Sequence, residues 1–350
     1  MLTMGNNCNF KSIEKVNFIC VRDIPTGLTE YKVTEVITDT GINVVDESEF
    51  FSNEKLVPWR QDNKIVIPYI YKRDFDSITM IVRHIPTQIT AEFDITFDKW
   101  NLLFEDHFDG TELNTEVWKH CPPLLRAKGF VNYWDDKMTF LDGNSHLVSR
   151  AMPGKKVITD PKTGEAKEVD AYISGAIWSK DLYKSKYGYY EVCAKMHHKT
   201  GIWGAFWLVA GDMDKFELCP DDNSAVGGAE IDIFESLYNM HTINSTVHWD
   251  GWAGKTKTRG YFDPNIDIDV YDGQFHKFAF RWSPDEYIFL IDGYVTYRFS
   301  TGGICKEPGY MNITTECGTW AGDWELKDGE YSDMLVDYVR IYTTPSDENK

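Results

Sequence analysis

Apolar and polar positions alternate with a period of two through much of the chain, and no helical period is sustained over three turns. Residues 64–71, 89–97, 189–196 and 334–342 are short, alternating and rich in β-branched and aromatic side chains, which predicts strands. Residues 287–291 and 294–299 flank Asp292-Gly293, the dipeptide that closes a two-residue hairpin. There is no repeat of 20–50 residues and no low-complexity tract. Many strands at short spacing predict an all-β sandwich or jelly roll.

Tryptophan divides the chain unevenly. Only Trp59 precedes residue 98, and the rest of the 12 follow it. A boundary near 98 is therefore expected, with residues 1–98 as a small accessory β-sandwich domain of unassigned role. Residues 99–350 then suit one large sandwich better than two small ones.

Acidic residues outnumber basic ones by 55 to 36, for a net charge of -19. A surface of that sign repels nucleic-acid backbone and anionic membrane, so neither is an expected partner. No segment approaches the ~18 apolar residues of a membrane-spanning helix. Lys11, Glu14, Lys15, Arg22 and Asp23 interrupt any leader-like apolar core near the start. Two expectations follow: a cytoplasmic chain, or a secreted one whose leader has been removed. The seven cysteines are scattered without a CxxC pair, and reduced thiols are expected. Aromatics make up 15% of residues, and their flat faces suit sugar rings as well as a β core.

The sharpest local feature is Gly227-Gly228-Ala229-Glu230-Ile231-Asp232-Ile233-Phe234-Glu235-Ser236. On a strand, Glu230 and Asp232 share one face while Ile231 and Ile233 share the other. Strict alternation would bury Glu235 among apolar side chains, at high cost. A β-bulge at Ile233-Phe234 restores parity and returns Glu235 to the face of Glu230 and Asp232. Three carboxylates on one face repel one another, so either a solvated acidic face or two-carboxylate glycoside hydrolysis is expected. By strand rise, Glu230 and Glu235 are more than ~10 Å apart at Cα. A retaining pair needs its carboxyls ~5–5.5 Å apart, which demands a concave sheet with inward-leaning side chains.

This segment resembles the ExDxxE signature of glycoside hydrolase family 16, the laminarinase and β-glucanase group. Phe104-Glu105-Asp106-His107-Phe108-Asp109-Gly110 is similar to that family's opening strand. Ser174-Gly175-Ala176-Ile177, residues 186–192 and residues 201–208 resemble its central strands in order, and residues 336–342 its closing strand. The resemblance covers roughly residues 100–343. It implies a concanavalin-like jelly roll whose concave sheet holds the sugar cleft, and hydrolysis with retention and no redox cofactor.

Position by position, the resemblance implies Glu230 as nucleophile, Asp232 as its assistant and Glu235 as acid/base. It implies Trp203 as a sugar-stacking residue and His248 as a cleft histidine near the acid/base. Trp320 and Trp134 are further cleft candidates, and Trp207 is expected in the core. A structural calcium in this family uses the closing-strand acid, here Asp337, although His107 stands where a second acid is common. Two positions depart from the family pattern. Residues 216–223 lack the usual Trp-Pro, and Ala176 replaces a common Arg. Both bear on sugar specificity.

The expected activity is endo-hydrolysis of β-1,3- or mixed β-1,3/1,4-glucan by a monomer. The alternatives are an endo-hydrolase of galactose-based polysaccharide, or a lectin-like binder on the same sandwich. The net charge disfavours sulfated polymers unless Lys255, Lys257 and Arg259 line the cleft.

Overall fold

The alternating segments become strands whose apolar sides meet in two separate principal cores. The computed structural model describes residues 9–347 except 26, 53–58, 62, 69–71, 73, 124, 128–130, 160–162, 215–222, 253–255, 263–266 and 345–346. Two compact units divide the chain, Met1–Asn101 and Leu102–Lys350.

The first unit pairs Ile13–Arg22, Leu28–Thr38, Lys64–Pro68 and Trp59–Gln61 in one sheet. A second sheet holds Ser48–Ser52, Ser77–His84 and Thr90–Thr96. Val33, Val36, Ile65 and Ile67 of the first sheet share a core with Met80, Val82 and Ile95 of the second. It is a small β-sandwich. The expected strand at 64–71 ends at Pro68, and its residues 69–71 lie outside the described residues.

The second unit stacks two sheets in a β-jelly roll. One has eleven strands among the described residues, including Gly188–Lys195, His276–Trp282 and Ser332–Thr343. The other has seven: β1 (Lys119–His120), β2 (Ala176–Trp178), β3 (Ile202–Ala210), β4 (Ala229–Leu237), β5 (Thr242–Trp249), β6 (Lys257–Phe262) and β7 (Gly309–Cys317). Their spatial order is β6-β5-β4-β3-β7-β2-β1, and β4 is hydrogen-bonded on both sides. Phe206, Leu208, Ile231, Phe234 and Val247 of this sheet pack against Val192, Phe278, Phe280 and Val339 of the other. The Phe234 and Phe278 rings meet with centroids 4.4 Å apart. Each such fully buried side chain contributes about 1.5–3 kcal/mol, which fixes the inner face of the seven-stranded sheet. Its outer face is left for chemistry.

The hairpin expected at Asp292-Gly293 is present, joining Tyr287–Ile291 to Tyr294–Phe299. Asp292 at φ 47° and Gly293 at φ 81° supply the left-handed backbone that such a turn requires.

Candidate active site

β4 carries the expected bulge. Ile231, Ile233 and Phe234 belong to the core, whereas Glu230, Asp232 and Glu235 line a cleft of about 400 Å³ on the other face. On the β3 side, Trp207 pairs with Asp232 and Phe206 with Phe234, so Ile233 is the extra residue. On the β5 side, Asp232 faces Thr246 and Glu235 faces Asn244. Ser245 lies opposite the bulge, and its hydroxyl donates to the Ile233 carbonyl at 2.9 Å. Below Glu235, the Ser236 hydroxyl accepts from Gly204 N–H at 2.9 Å and so ties β4 to β3.

Each carboxylate has a distinct environment. Glu230 accepts from the Trp252 indole N–H at 2.5 Å. Glu235 accepts from the Asn244 amide at 2.7 Å, and the Trp203 indole also donates to it. Thr246 in turn donates to the Asn244 carbonyl oxygen at 2.9 Å, which orients that amide. Burial, then the charges of Glu230 and Glu316, push Glu235 up from the ordinary 4.5 to about 7, against the lowering effect of Asn244 and Trp203. Burial raises Asp232 well above the ordinary carboxylate range, and the charges of Glu235 and Glu230 add to it. Asp232 is only 5% exposed, and its nearest charged-type partner is His248 Nε2 at 3.6 Å. Both shifts run upward, so burial in the cleft disfavours the charged forms of Asp232 and Glu235.

Several expected site residues need correcting. His248 lines the cleft as expected, but the β4–β5 register sets it opposite Glu230 rather than Glu235, with Nδ1 against the Thr258 hydroxyl at 2.8 Å. Trp203 lines the cleft but is 8% exposed and packs with Leu237 and Ala321, so little of its face is open to a sugar. Trp320 meets it edge-on at 5.2 Å and, at 39% exposed, is the open aromatic of the pair. Trp207, expected in the core, lines the cleft because it shares a face with Asp232. Trp134 does not line it. It sits in the eleven-stranded sheet, buried with Cys121, Ala176 and Trp178. Lys257 pairs with Asp250 at 3.1 Å and Arg259 donates to the Thr301 carbonyl at 2.7 Å, so neither turns into the cleft. Lys255 and most of the 216–223 departure lie outside the described residues.

Glu230, Asp232 and His248 bring one ligand-type atom each to within 4.8 Å of one another, so they could hold a metal ion. The calcium position implied for Asp337 fits poorly. Asp337 is the bulged residue of Ser332–Thr343 and lies in hydrogen-bond contact with the Cys193 thiol. His107 stands 3.3 Å from the Arg340 guanidinium rather than completing an oxygen-rich shell.

Asn244 and Glu316 line the cleft and Trp252 reaches Glu230, although none of the three stands out in the sequence. Asn244 falls in phase with Thr246 and His248 on β5, a usable signal, whereas Trp252 follows the strand in a loop.

The profile of glycosyl hydrolases family 16 matches residues 143–340, more than half of the 350-residue chain. The chain belongs to glycosyl hydrolases family 16. Among curated relatives, this family 16 chain is 27% identical over 211 residues to endo-1,3-1,4-beta-glycanase ExsH of Rhizobium meliloti (strain 1021), covering 59% of this chain. It spans only 40% of the length of that relative. It is 25% identical to a beta-glucanase of Rhodothermus marinus, over 69% of this chain and 85% of the relative. The crystal structure of endo-beta-1,3-glucanase from Pyrococcus furiosus superposes with a TM-score of 0.55 at 26% identity, covering 71% and 95% of the two chains.

Proposed function

We propose that this family 16 chain is an endo-acting, retaining hydrolase of β-1,3- or mixed β-1,3/1,4-glucan. The observation that carries the reading is the bulged β4, which sets Glu230, Asp232 and Glu235 on one cleft wall with Glu235 raised to about 7. The printed activities of the relatives above, 1,3-1,4-glycanase and β-glucanase, support the substrate class.

In this reading, Glu230 attacks the anomeric carbon while Glu235 gives its proton to the departing glycosidic oxygen. The C–O bond breaks and a glycosyl ester forms on Glu230. Glu235, now ionised, takes a proton from water, whose oxygen displaces Glu230 with overall retention. Asp232 lies between the two glutamates on the same cleft wall, and its burial, which disfavours its charged form, limits the accumulation of negative charge there. Trp252 holds Glu230 in place, and Asn244 and Trp203 hold Glu235. No Lys or Arg lines the cleft among the described residues, which favours a neutral polymer.

A panel of laminarin, barley glucan, agarose and galactan, read by reducing ends and product sizes, tests the substrate. Internal cleavage of laminarin or barley glucan is expected. Products from agarose or galactan, with both glucans untouched, would replace glucan by a galactose-based polymer. Binding without cleavage of any of the four would leave a lectin-like module.

A further inference from the structure

A second cavity, of about 640 Å³, opens on the same unit and shares no described lining residue with the catalytic cleft. It lies at the edge of the seven-stranded sheet, where β1 ends the order β6-β5-β4-β3-β7-β2-β1. His120 of β1 pairs with Ile177, a fully buried core residue, so its ring turns to the inner side of the sheet. Thr139–Leu141, from the eleven-stranded sheet, also lines the cavity, which therefore sits where the two sheets part.

Its floor is apolar, because Trp118 belongs to the main core and Leu113 and Leu141 pack on it. Its edge carries the hydroxyls of Thr111, Thr115 and Thr139. The His120 Nδ1 is buried and has no hydrogen-bond partner among the described residues. Lys119 also lines the cavity, but its ammonium is held by Asp181 at 3.1 Å, and Glu112 is exposed. A volume of this order, an apolar floor and a few uncharged hydrogen-bonding groups suit a pyranose ring, which has C–H faces and a hydroxyl edge. The cleft leads in the same direction. Thr258, Thr246, Asp232, Trp207 and Thr314 place its lining on β6, β5, β4, β3 and β7 in turn, so a polymer lying in it crosses the strands. Two more strand spacings, about 10 Å, carry that polymer past β2 to β1.

We propose that this cavity is a second glucan-binding site, which takes a neutral pyranose unit and gives polymer bound in the cleft an additional hold. The identity of the ligand rests on the hydrolase reading above. Two points of attachment raise the effective concentration of the polymer at each, a gain closed to oligosaccharides too short to reach both.

The test titrates laminarihexaose into the full chain carrying Glu230→Gln, which keeps the sugar whole, and follows the imidazole signals by NMR. His120→Phe in the same background assigns the signal of the second site. The signals of His120 and of the cleft residue His248 should both shift, each along its own saturation curve. Saturation at His248 with His120 unmoved would overturn the second site and leave the hydrolase reading intact. Neither signal moving would overturn both. Kinetics give a second readout, because Leu182→Glu sets a charge at an exposed position on the cavity wall. The ratio of KM on laminarin to KM on laminaritetraose should rise roughly tenfold in this variant, with kcat on laminarin little changed. An unchanged ratio would overturn the additional hold.

Discussion

The Ser245 hydroxyl donates to the Ile233 carbonyl at 2.9 Å, fastening the one irregular point of β4 to its neighbour. That bond joins the residue that breaks the alternation to a strand that keeps it. Ser245→Ala should leave a folded chain with kcat reduced about ten- to a hundredfold and KM little changed, because a shift on the order of 1 Å in a catalytic group carries that penalty. Steady-state kinetics beside a cooperative melt check it. Unchanged kcat would mean that backbone pairing alone holds the bulge.

Glu235→Gln should abolish hydrolysis and yet stabilise the fold on the alkaline side. Folded Glu235 titrates near 7 against an ordinary 4.5, so the folded state holds the extra proton between those values. Stability from this group is present below about 4.5 and is lost as pH rises through about 7. At pH 8 the variant should melt a few degrees above the parent, and at pH 4 no higher. Equal melting temperatures at pH 8 would count against a strained acid at this position.

Asn244→Ala removes a donor that favours the charged form of Glu235. The alkaline limb of the kcat/KM profile should therefore move to higher pH even as the maximum rate falls. Movement to lower pH would show that burial, rather than this bond, changes most on substitution.

Azide should separate the two glutamates. Glu235→Ala should be rescued with a glycosyl azide of retained configuration, because the Glu230 ester still forms and azide displaces it. Glu230→Ala should give the inverted product. Exchanged configurations would reverse the two roles.

A chain beginning at Asp98 keeps the Asn101–Asp106 strand whole and leaves out the sandwich before it. It should fold and cleave short oligosaccharides at a rate near that of the full chain. A folded product with no turnover would give the first unit a part in bond cleavage.

Much of this was legible in the sequence because period-two patterning reports which face a side chain takes. The bulge followed from parity alone, since Glu235 could not join Phe234 in the core. Pairing register left no such trace, so His248 was assigned to Glu235 when it lies beside Glu230. Trp134 illustrates the same limit, because alternation does not say which sheet a strand joins. Glu316 lines the cleft for a related reason, since it pairs with Trp203 and meets Asn132, both distant in sequence. Trp252 reaches Glu230 from a loop, where no periodicity operates.

Because β4 is hydrogen-bonded to β3 and β5 and backed by Phe234 in the core, its amides should be among the slowest in the chain to exchange with deuterated solvent. Local opening there amounts to dismantling the sheet. The machinery then has no partly open state in which chemistry fails while the fold survives. Heat inactivation and loss of structure should follow one curve, making turnover itself a gauge of the folded fraction.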